Sequence, residues 1–117
     1  MNKKLKHIKS LSDEQLVLQY GKSKDKAYMG ELYVRYSALV LGVSLKYLQN
    51  KSEAQDNLMK VFEKLMNVSL KSEVLNAKAW LYQITKNECL MALRKKKKTS
   101  FSDIEDLQLS QENNQEQ

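Results

Sequence analysis

The second half of the chain carries a group of side chains suited to binding a nucleic acid. Lys78, Lys86 and Arg94 are spaced along one predicted helix, and residues 95–98 are all lysine. Such cations neutralise phosphates, and the amide of Asn87 between them is suited to the edge of adenine. From composition alone, phosphate contact and simple solvation of a helix end explain the lysine run equally well.

No other group of side chains has the spacing of a catalytic or metal site. His7 is the single histidine and Cys89 the single cysteine of the chain. Glu53 and Asp56 lie three residues apart, but acids at the start of a helix are explained more simply by the helix dipole. We therefore predict no enzymatic activity, no metal site and no cofactor.

The charge of the chain is unevenly distributed. Twenty Lys and Arg oppose fourteen Asp and Glu, which gives a net charge of +6. Residues 99–117 contain five acidic and no basic residues, so residues 1–98 carry +11. A small body with this surplus attracts polyanions.

The composition favours helices. The chain has 117 residues, three Gly and no Pro, so tight turns are few. A single Cys excludes an internal disulfide. No apolar run reaches the length of a membrane span, and we expect no membrane insertion and a cytoplasmic protein.

Capping signals and apolar spacing predict four helices. Ser12 and Ser52 each open a capping box, Gly21 can end the first helix, and Asn76 can cap the last. The predicted helices span residues 13–20, 25–48, 52–67 and, after the Asn76 cap, up to 97. Apolar residues at steps of three and four predict one buried face on each helix. We expect Trp80 and Cys89 on these buried faces.

These helices predict an all-α fold, a compact bundle of about four helices over residues 11–98. Residues 1–10 are predicted to form a flexible basic arm. Residues 67–76 are predicted to form a loop that is long for a helix–helix connection. Residues 99–117 are predicted to form an acidic linker or tail.

Three blocks of sequence follow one another along the chain. They are ELYVRYSALV at 31–40, SEAQDNLMKVFEKL at 52–65 and AWLYQITKNECLMALRKKKK at 79–98. The third block holds a Trp–Leu pair, an apolar residue, an asparagine and an arginine, which are Trp80, Leu81, Ile84, Asn87 and Arg94. In this order and spacing, residues 26–98 resemble region 2 of a bacterial sigma factor of the extracytoplasmic-function group.

The resemblance implies a transcription initiation domain that binds core RNA polymerase. In this family the third predicted helix docks on the clamp helices of the β′ subunit. An amphipathic helix can make such an interface through apolar contacts and a charged rim. The polymerase-binding residues that the resemblance implies are Asp56, Leu58, Met59, Val61, Phe62 and Leu65.

The resemblance also implies that the fourth predicted helix and the loop before it recognise and melt the −10 promoter element. One base of the non-template strand is then extruded into a pocket beside that loop. The DNA-binding residues implied in this way are Lys71, Asn76, Lys78, Lys86, Asn87, Met91, Arg94 and Lys95. An anti-sigma factor is a possible further partner.

The chain departs from the family pattern at three places. Met59 and Met91 stand where the family often has Gln and Asp, and the domain called region 4 does not follow. We expect the chain to be a fragment of a longer protein, the alternative being a protein that works without region 4. These departures keep a second hypothesis open, a helical protein-interaction module that regulates transcription without direct base recognition.

Overall fold

A computed structural model of the chain describes residues 2–68 and 73–103, with side chains up to Lys97. The described residues form five helices and no strand, which confirms the all-α prediction. The helices are α1 (Lys3–Ser10), α2 (Asp13–Ser23), α3 (Lys26–Leu48), α4 (Lys51–Asn67) and α5 (Ala77–Asp103). The predicted bundle of about four helices therefore has one helix more than the sequence indicated.

The additional helix is α1, and the prediction of a flexible arm over residues 1–10 was wrong for this part. The side chain of Asn2 caps α1 by accepting from the amide of Leu5 at 2.8 Å. Ile8 is only 1% exposed, and the guanidinium of Arg35 donates to the carbonyl of Lys9 at 3.1 Å. A helix of eight residues has little stability alone, so these contacts with the rest of the bundle hold it.

The start of α2 follows the prediction, but its end does not. Ser12 and Gln15 form the expected capping box, with Gln15 N to Ser12 Oγ at 3.1 Å and Ser12 N to Gln15 Oε1 at 2.8 Å. The helix passes through Gly21 and ends at Ser23, with Lys24 in the left-handed conformation at φ 59°. The side chain of Asp25 then caps α3. The end of α2 therefore lies three residues later than predicted.

Asn50, and not Ser52, caps α4. The side chain of Asn50 accepts from the amide of Glu53 at 2.8 Å, so α4 begins at Lys51. Gln49, the residue before Asn50, adopts the left-handed conformation at φ 52° and ends α3. The turn between α3 and α4 is therefore tight.

The start of α5 agrees with the prediction. The side chain of Asn76 accepts from the amide of Ala79 at 3.0 Å, as expected of a cap. The helix then continues to Asp103, past the expected end at residue 97 and into the segment predicted as a tail. The remainder of that tail, residues 104–117, lies outside the described residues.

Three long helices form most of the core. α3 and α4 are antiparallel, because Tyr33 meets Phe62 and Ser44 meets Asn57. α5 packs antiparallel to α4, and α2 covers the end of the bundle where α5 begins. The core cluster is formed by Ile8, Leu16, Val17, Tyr20, Met29, Leu32, Val40, Leu58, Val61, Phe62, Leu65, Ala77 and Leu81. Trp80, expected on a buried face, packs against the edge of this cluster and is half-buried.

Candidate functional site

The α4 residues that the family resemblance assigned to polymerase binding separate into two groups. Leu58, Val61, Phe62 and Leu65 are buried in the core of the bundle. Asp56 and Met59 are exposed, Met59 with 65% of its surface. The four buried residues therefore pack α4 against the rest of the bundle. Only Asp56 and Met59 are available to a partner.

A tyrosine of α3 extends the accessible surface beside α4. The ring of Tyr33 meets the ring of Phe62 edge-on, with centroids 4.9 Å apart and an interplanar angle of 72°. Tyr33 and its neighbour Val34 are exposed to 40% and 68%. Sequence reasoning missed both residues because it assigned the whole surface to a single helix.

Most of the DNA-binding residues expected on α5 are accessible. Lys78, Asn87, Met91, Arg94 and Lys95 are exposed, and Lys86 is half-buried. We call Lys78, Lys86, Arg94 and Lys95 the cationic ridge. Asn76 is exposed, but its side chain is engaged in capping α5. Lys71, also expected in this group, lies outside the described residues.

Two further exposed residues of α5 were not singled out by the sequence. Gln83 donates from Nε2 to Oδ1 of Asn87 at 3.2 Å, which engages the acceptor of the Asn87 amide and leaves its Nδ2 as a donor. Tyr82 is exposed, one turn from both Lys78 and Lys86. The helical spacing of four residues from Lys78 is the signal that would have identified Tyr82.

Carboxylates on other helices orient α5. Oε2 of Glu14 on α2 accepts from the backbone amide of Ala77 at 2.8 Å, at the first turn of α5. Glu88 on α5 pairs with Lys64 on α4 at 2.8 Å, and the Glu88 side chain is only 11% exposed. These contacts fix the side of α5 that packs on the bundle. Lys78 and Arg94 remain exposed, whereas Lys95 lines a groove between α5 and α4 with Glu53 and Asp56.

A buried polar cluster joins α3, α4 and α5. Asn57 donates from Nδ2 to Ser44 Oγ at 2.9 Å and to Cys89 Sγ at 3.3 Å. The Oδ1 atom of Asn57 is buried and has no hydrogen-bond partner. Burial raises the pKa of the Cys89 thiol, and the charge of Glu88 adds to that rise. The thiol is buried as the sequence predicted, and its environment favours the protonated, unreactive form.

A half-open cavity of about 690 Å³ lies between α2 and the start of α5. Its walls are mostly apolar, with the aromatic rings of Tyr20 and Trp80 on two sides and Lys22 and Lys24 at α2. The hydroxyl of Tyr20 donates to the carbonyl of Met66 at 2.9 Å, which holds this wall against the end of α4. Val68, Glu73 and Val74, from both ends of the α4–α5 connection, also line the cavity. The cavity therefore adjoins the described ends of the α4–α5 connection.

The described residues offer no grouping typical of catalysis. Among the described side chains, at residues 2–68 and 73–97, no three His, Cys, Asp or Glu side chains are placed as metal ligands would be. A charged network of Asp13, Glu31 and Arg35 instead ties α2 to α3, with Arg35 Nη1 to Asp13 Oδ1 at 2.8 Å. No helix within these ranges is long and apolar enough to cross a membrane.

Comparison with known proteins supplies the family. A family model described as Sigma-70 region 2 matches residues 32–99, which include most of α3, all of α4 and most of the described α5. No match was found among curated proteins or among solved structures. Region 2 is a non-enzymatic domain of transcription initiation factors, which act with core RNA polymerase and promoter DNA. More than half of the chain, including both helices that carry the candidate surfaces, matches this family, and the chain belongs to the sigma-70 region 2 family.

Proposed function

We propose that this chain binds the clamp helices of the RNA polymerase β′ subunit through α4 and the −10 promoter element through α5. The observation that carries the proposal is the separation of the two surfaces. Met59 on α4 is exposed, as are Lys78 and Arg94 on α5, while the faces of α4 and α5 that meet are joined by the Asn57–Cys89 and Lys64–Glu88 contacts. One partner can therefore occupy each surface while the bundle stays intact.

Charge and amide chemistry support DNA binding at α5. Within the cationic ridge, Lys78, Lys86 and Arg94 can contact phosphates, whose neutralisation releases counterions and drives binding. Asn87 is exposed on the same helix, and its Nδ2 group is suited to donate to the N7 acceptor of a purine. A single strand lying along α5 would be held by its backbone and read at Asn87.

The cavity beside the α4–α5 connection supports the extrusion of one base. Its volume of about 690 Å³ lies in the range of roughly 300–1,000 Å³ that is usual for ligand sites. The half-buried Trp80 presents aromatic surface, on which a flipped base can stack for about 1–3 kcal/mol. This gain is of the same order as the few kcal/mol needed to unstack a base, so the cavity would favour melting.

The finer assignment follows the same proposal. We assign the chain to the extracytoplasmic-function group, which places it in the bacterial cytoplasm, with an anti-sigma factor as a further partner. The three blocks at residues 31–40, 52–65 and 79–98 support this assignment.

Binding to a β′ clamp-helix fragment tests the polymerase half of the proposal. Phe62→Ala would weaken binding, but Phe62 is 6% exposed, so this change also weakens the fold. Met59→Lys is the sharper variant, because Met59 is exposed and its replacement leaves the core untouched. We expect at least tenfold weaker binding in isothermal titration, and no measurable binding of the unmodified chain would refute the proposal.

Fluorescence anisotropy with a single-stranded −10 oligonucleotide tests the DNA half. Arg94→Ala should weaken binding to all sequences and reduce the salt slope by about one. Asn87→Ala should weaken binding mainly to the preferred sequence, because Asn87 contacts a base in this proposal. Equal affinity for unrelated sequences would instead support the second candidate, a protein-interaction module without base readout, which the exposed apolar side chains of Met59 and Met91 favour.

A further inference from the structure

The end of α2 places two cations on the wall of the half-open cavity. Lys22 and Lys24 both line the cavity, and both are exposed. Within the described side chains, at residues 2–68 and 73–97, neither lysine forms an ion pair with a carboxylate. α2 ends before residues 32–99, which match the family model. The match therefore assigns no role to these two lysines.

Lys24 is held against an aromatic side chain of the cavity wall. Its Nζ atom lies 5.1 Å from the centroid of the Tyr20 ring, a distance typical of cation–π contacts. Its backbone amide also donates to the carbonyl of Tyr20 at 2.8 Å. A cation at the end of a helix complements the helix dipole in any case. The dipole does not require the contact with Tyr20, which fixes the cation beside the cavity.

The carboxylates that line the cavity come from other places than the lysines. Glu14 lies at the start of α2, where it accepts from the amide of Ala77, and Glu73 lies in the α4–α5 connection. From Glu14 to Lys22 the α2 helix rises by about 12 Å. A phosphate is therefore attracted to the end of α2 and repelled at its start. A nucleotide, with an apolar base and an anionic phosphate, fits this arrangement better than a segment that is anionic throughout.

We propose that Lys22 and Lys24 bind the phosphates that flank the extruded base, so that α2 forms a second side of the DNA site. This inference rests on the proposed binding of single-stranded −10 DNA and extends it to a helix outside the matched residues. The base enters the cavity beside Trp80, while its sugar–phosphate backbone passes the end of α2. The strand is then held on both sides of the base, by cations of α5 on one side and of α2 on the other.

Fluorescence anisotropy with the single-stranded −10 oligonucleotide tests the inference through α2 alone. Lys22→Gln and Lys24→Gln each remove one cation. Gln49, with φ 52°, shows that glutamine fits the left-handed conformation that Lys24 adopts. Each variant should bind about fivefold more weakly at about 0.1 M salt, because one phosphate contact contributes roughly 0.7 to the salt slope of a single strand. Lys6→Gln, at an exposed position of α1 outside the cavity wall, is the matched control and should bind as the unmodified chain does.

Oligonucleotides in which one phosphate at a time is replaced by an uncharged methylphosphonate locate the two contacts. At a linkage that Lys22 or Lys24 binds, the corresponding lysine variant should lose no further affinity. At every other linkage the full loss should persist. An abasic scan of the same oligonucleotide identifies the nucleotide whose base occupies the cavity, because removing that base removes its stacking. We expect the insensitive linkages to flank this nucleotide, and any other location would overturn the inference.

Arg94→Ala distinguishes failure of this inference from failure of the proposed function. If Arg94→Ala weakens binding while either Lys22→Gln or Lys24→Gln binds as Lys6→Gln does, the inference is wrong and DNA binding by α5 is intact. If the unmodified chain does not bind the oligonucleotide at low salt, both proposals fail.

Discussion

The side chain of Glu14 accepts a hydrogen bond from the backbone amide of Ala77, 63 residues further along the chain, at 2.8 Å. The amides of the first turn of a helix have no partner within the helix. Asn76 satisfies the amide of Ala79, and Glu14 satisfies that of Ala77 from a different helix. The start of α5, beside the candidate DNA pocket, is therefore oriented by α2.

Replacing Glu14 should destabilise the protein measurably. Glu14→Ala removes a charged cap from α5 and should lower the free energy of unfolding by about 1 kcal/mol, within a range of about 0.5–2. Urea unfolding followed by circular dichroism gives this difference. Glu63→Ala, an exposed carboxylate on α4, is the control and should change stability by less than about 0.5 kcal/mol. Equal midpoints for the two variants would show that the Glu14 contact does not cap α5.

Replacing Asn57 by leucine should leave stability unchanged or raise it. Asn57 is 2% exposed, and its Oδ1 has no partner. A buried polar atom without a hydrogen bond costs about 1–3 kcal/mol, whereas leucine has the same number of side-chain heavy atoms, the same branching and no polar atom. Ser44 keeps a partner in this variant, because its hydroxyl donates to the carbonyl of Val40 at 2.8 Å.

Thermal unfolding of Asn57→Leu and Asn57→Ala checks this expectation. The alanine variant leaves a cavity and should be the less stable of the two. A leucine variant that is destabilised by more than about 2 kcal/mol, a loss typical of breaking a buried polar network, would show that the Asn57 cluster contributes more than its unpaired atom costs.

Cys89 should resist thiol reagents in the folded protein. The side chain is fully buried, and burial raises its thiol pKa, so little thiolate is present near neutral pH. Modification should therefore follow the fraction of unfolded chain and become fast in concentrated urea. Absorbance of a thiol-reactive dye at pH 7.5, with and without urea, measures the two rates. Comparable rates in both conditions would contradict the buried position.

Stability at high pH should depend on Tyr36. Its hydroxyl donates to Asp13, and this bond to a carboxylate raises the pKa of Tyr36 to about 12. The folded state thus holds the proton more tightly than the unfolded chain, in which tyrosine titrates near its ordinary value of 10.0. The stabilisation is complete below that value and is lost as the pH rises toward 12.

Urea unfolding at several values between pH 9 and pH 11.5 tests the role of Tyr36. Tyr36→Phe should remove part of the decline in stability with pH that the unmodified chain shows. Tyr28→Phe is the matched control, because the described residues show no carboxylate bonded to Tyr28, and it should keep the full decline. Identical pH dependence of Tyr36→Phe and the unmodified chain would count against the Tyr36–Asp13 bond.

Local sequence signals predicted the helices well and their ends less well. The capping box at Ser12 and the cap at Asn76 are present as predicted, because each depends on residues close in sequence. Ser52 was a plausible cap too, but Asn50 lies directly after the left-handed Gln49, and its side chain caps α4 two residues before Ser52. The prediction for α1 failed because its stability comes from the burial of Ile8 and from Arg35, which is 26 residues from its partner Lys9.

The sequence predicted which segments carry the candidate surfaces. It did not predict which residues of those segments are accessible. Four of the six α4 residues assigned by resemblance are buried, because the apolar stripe of an amphipathic helix packs into the core of the bundle. On α5 the expected cations are accessible, because a charge at a helix surface stays in solvent. Val34 could not be found from its own helix, whose apolar residues lie on more than one side.

The amino-acid sequence by itself determined the helical class, the basic body and the family, because these depend on composition, on local capping and on the order of short motifs. Tertiary structure decided which side of each helix is available, how Glu14 and Glu88 orient α5, and that Tyr33 of α3 lies beside Phe62 of α4. These features depend on contacts between residues tens of positions apart. Such contacts form only when the whole bundle packs together, and they leave no periodic signal within any one helix.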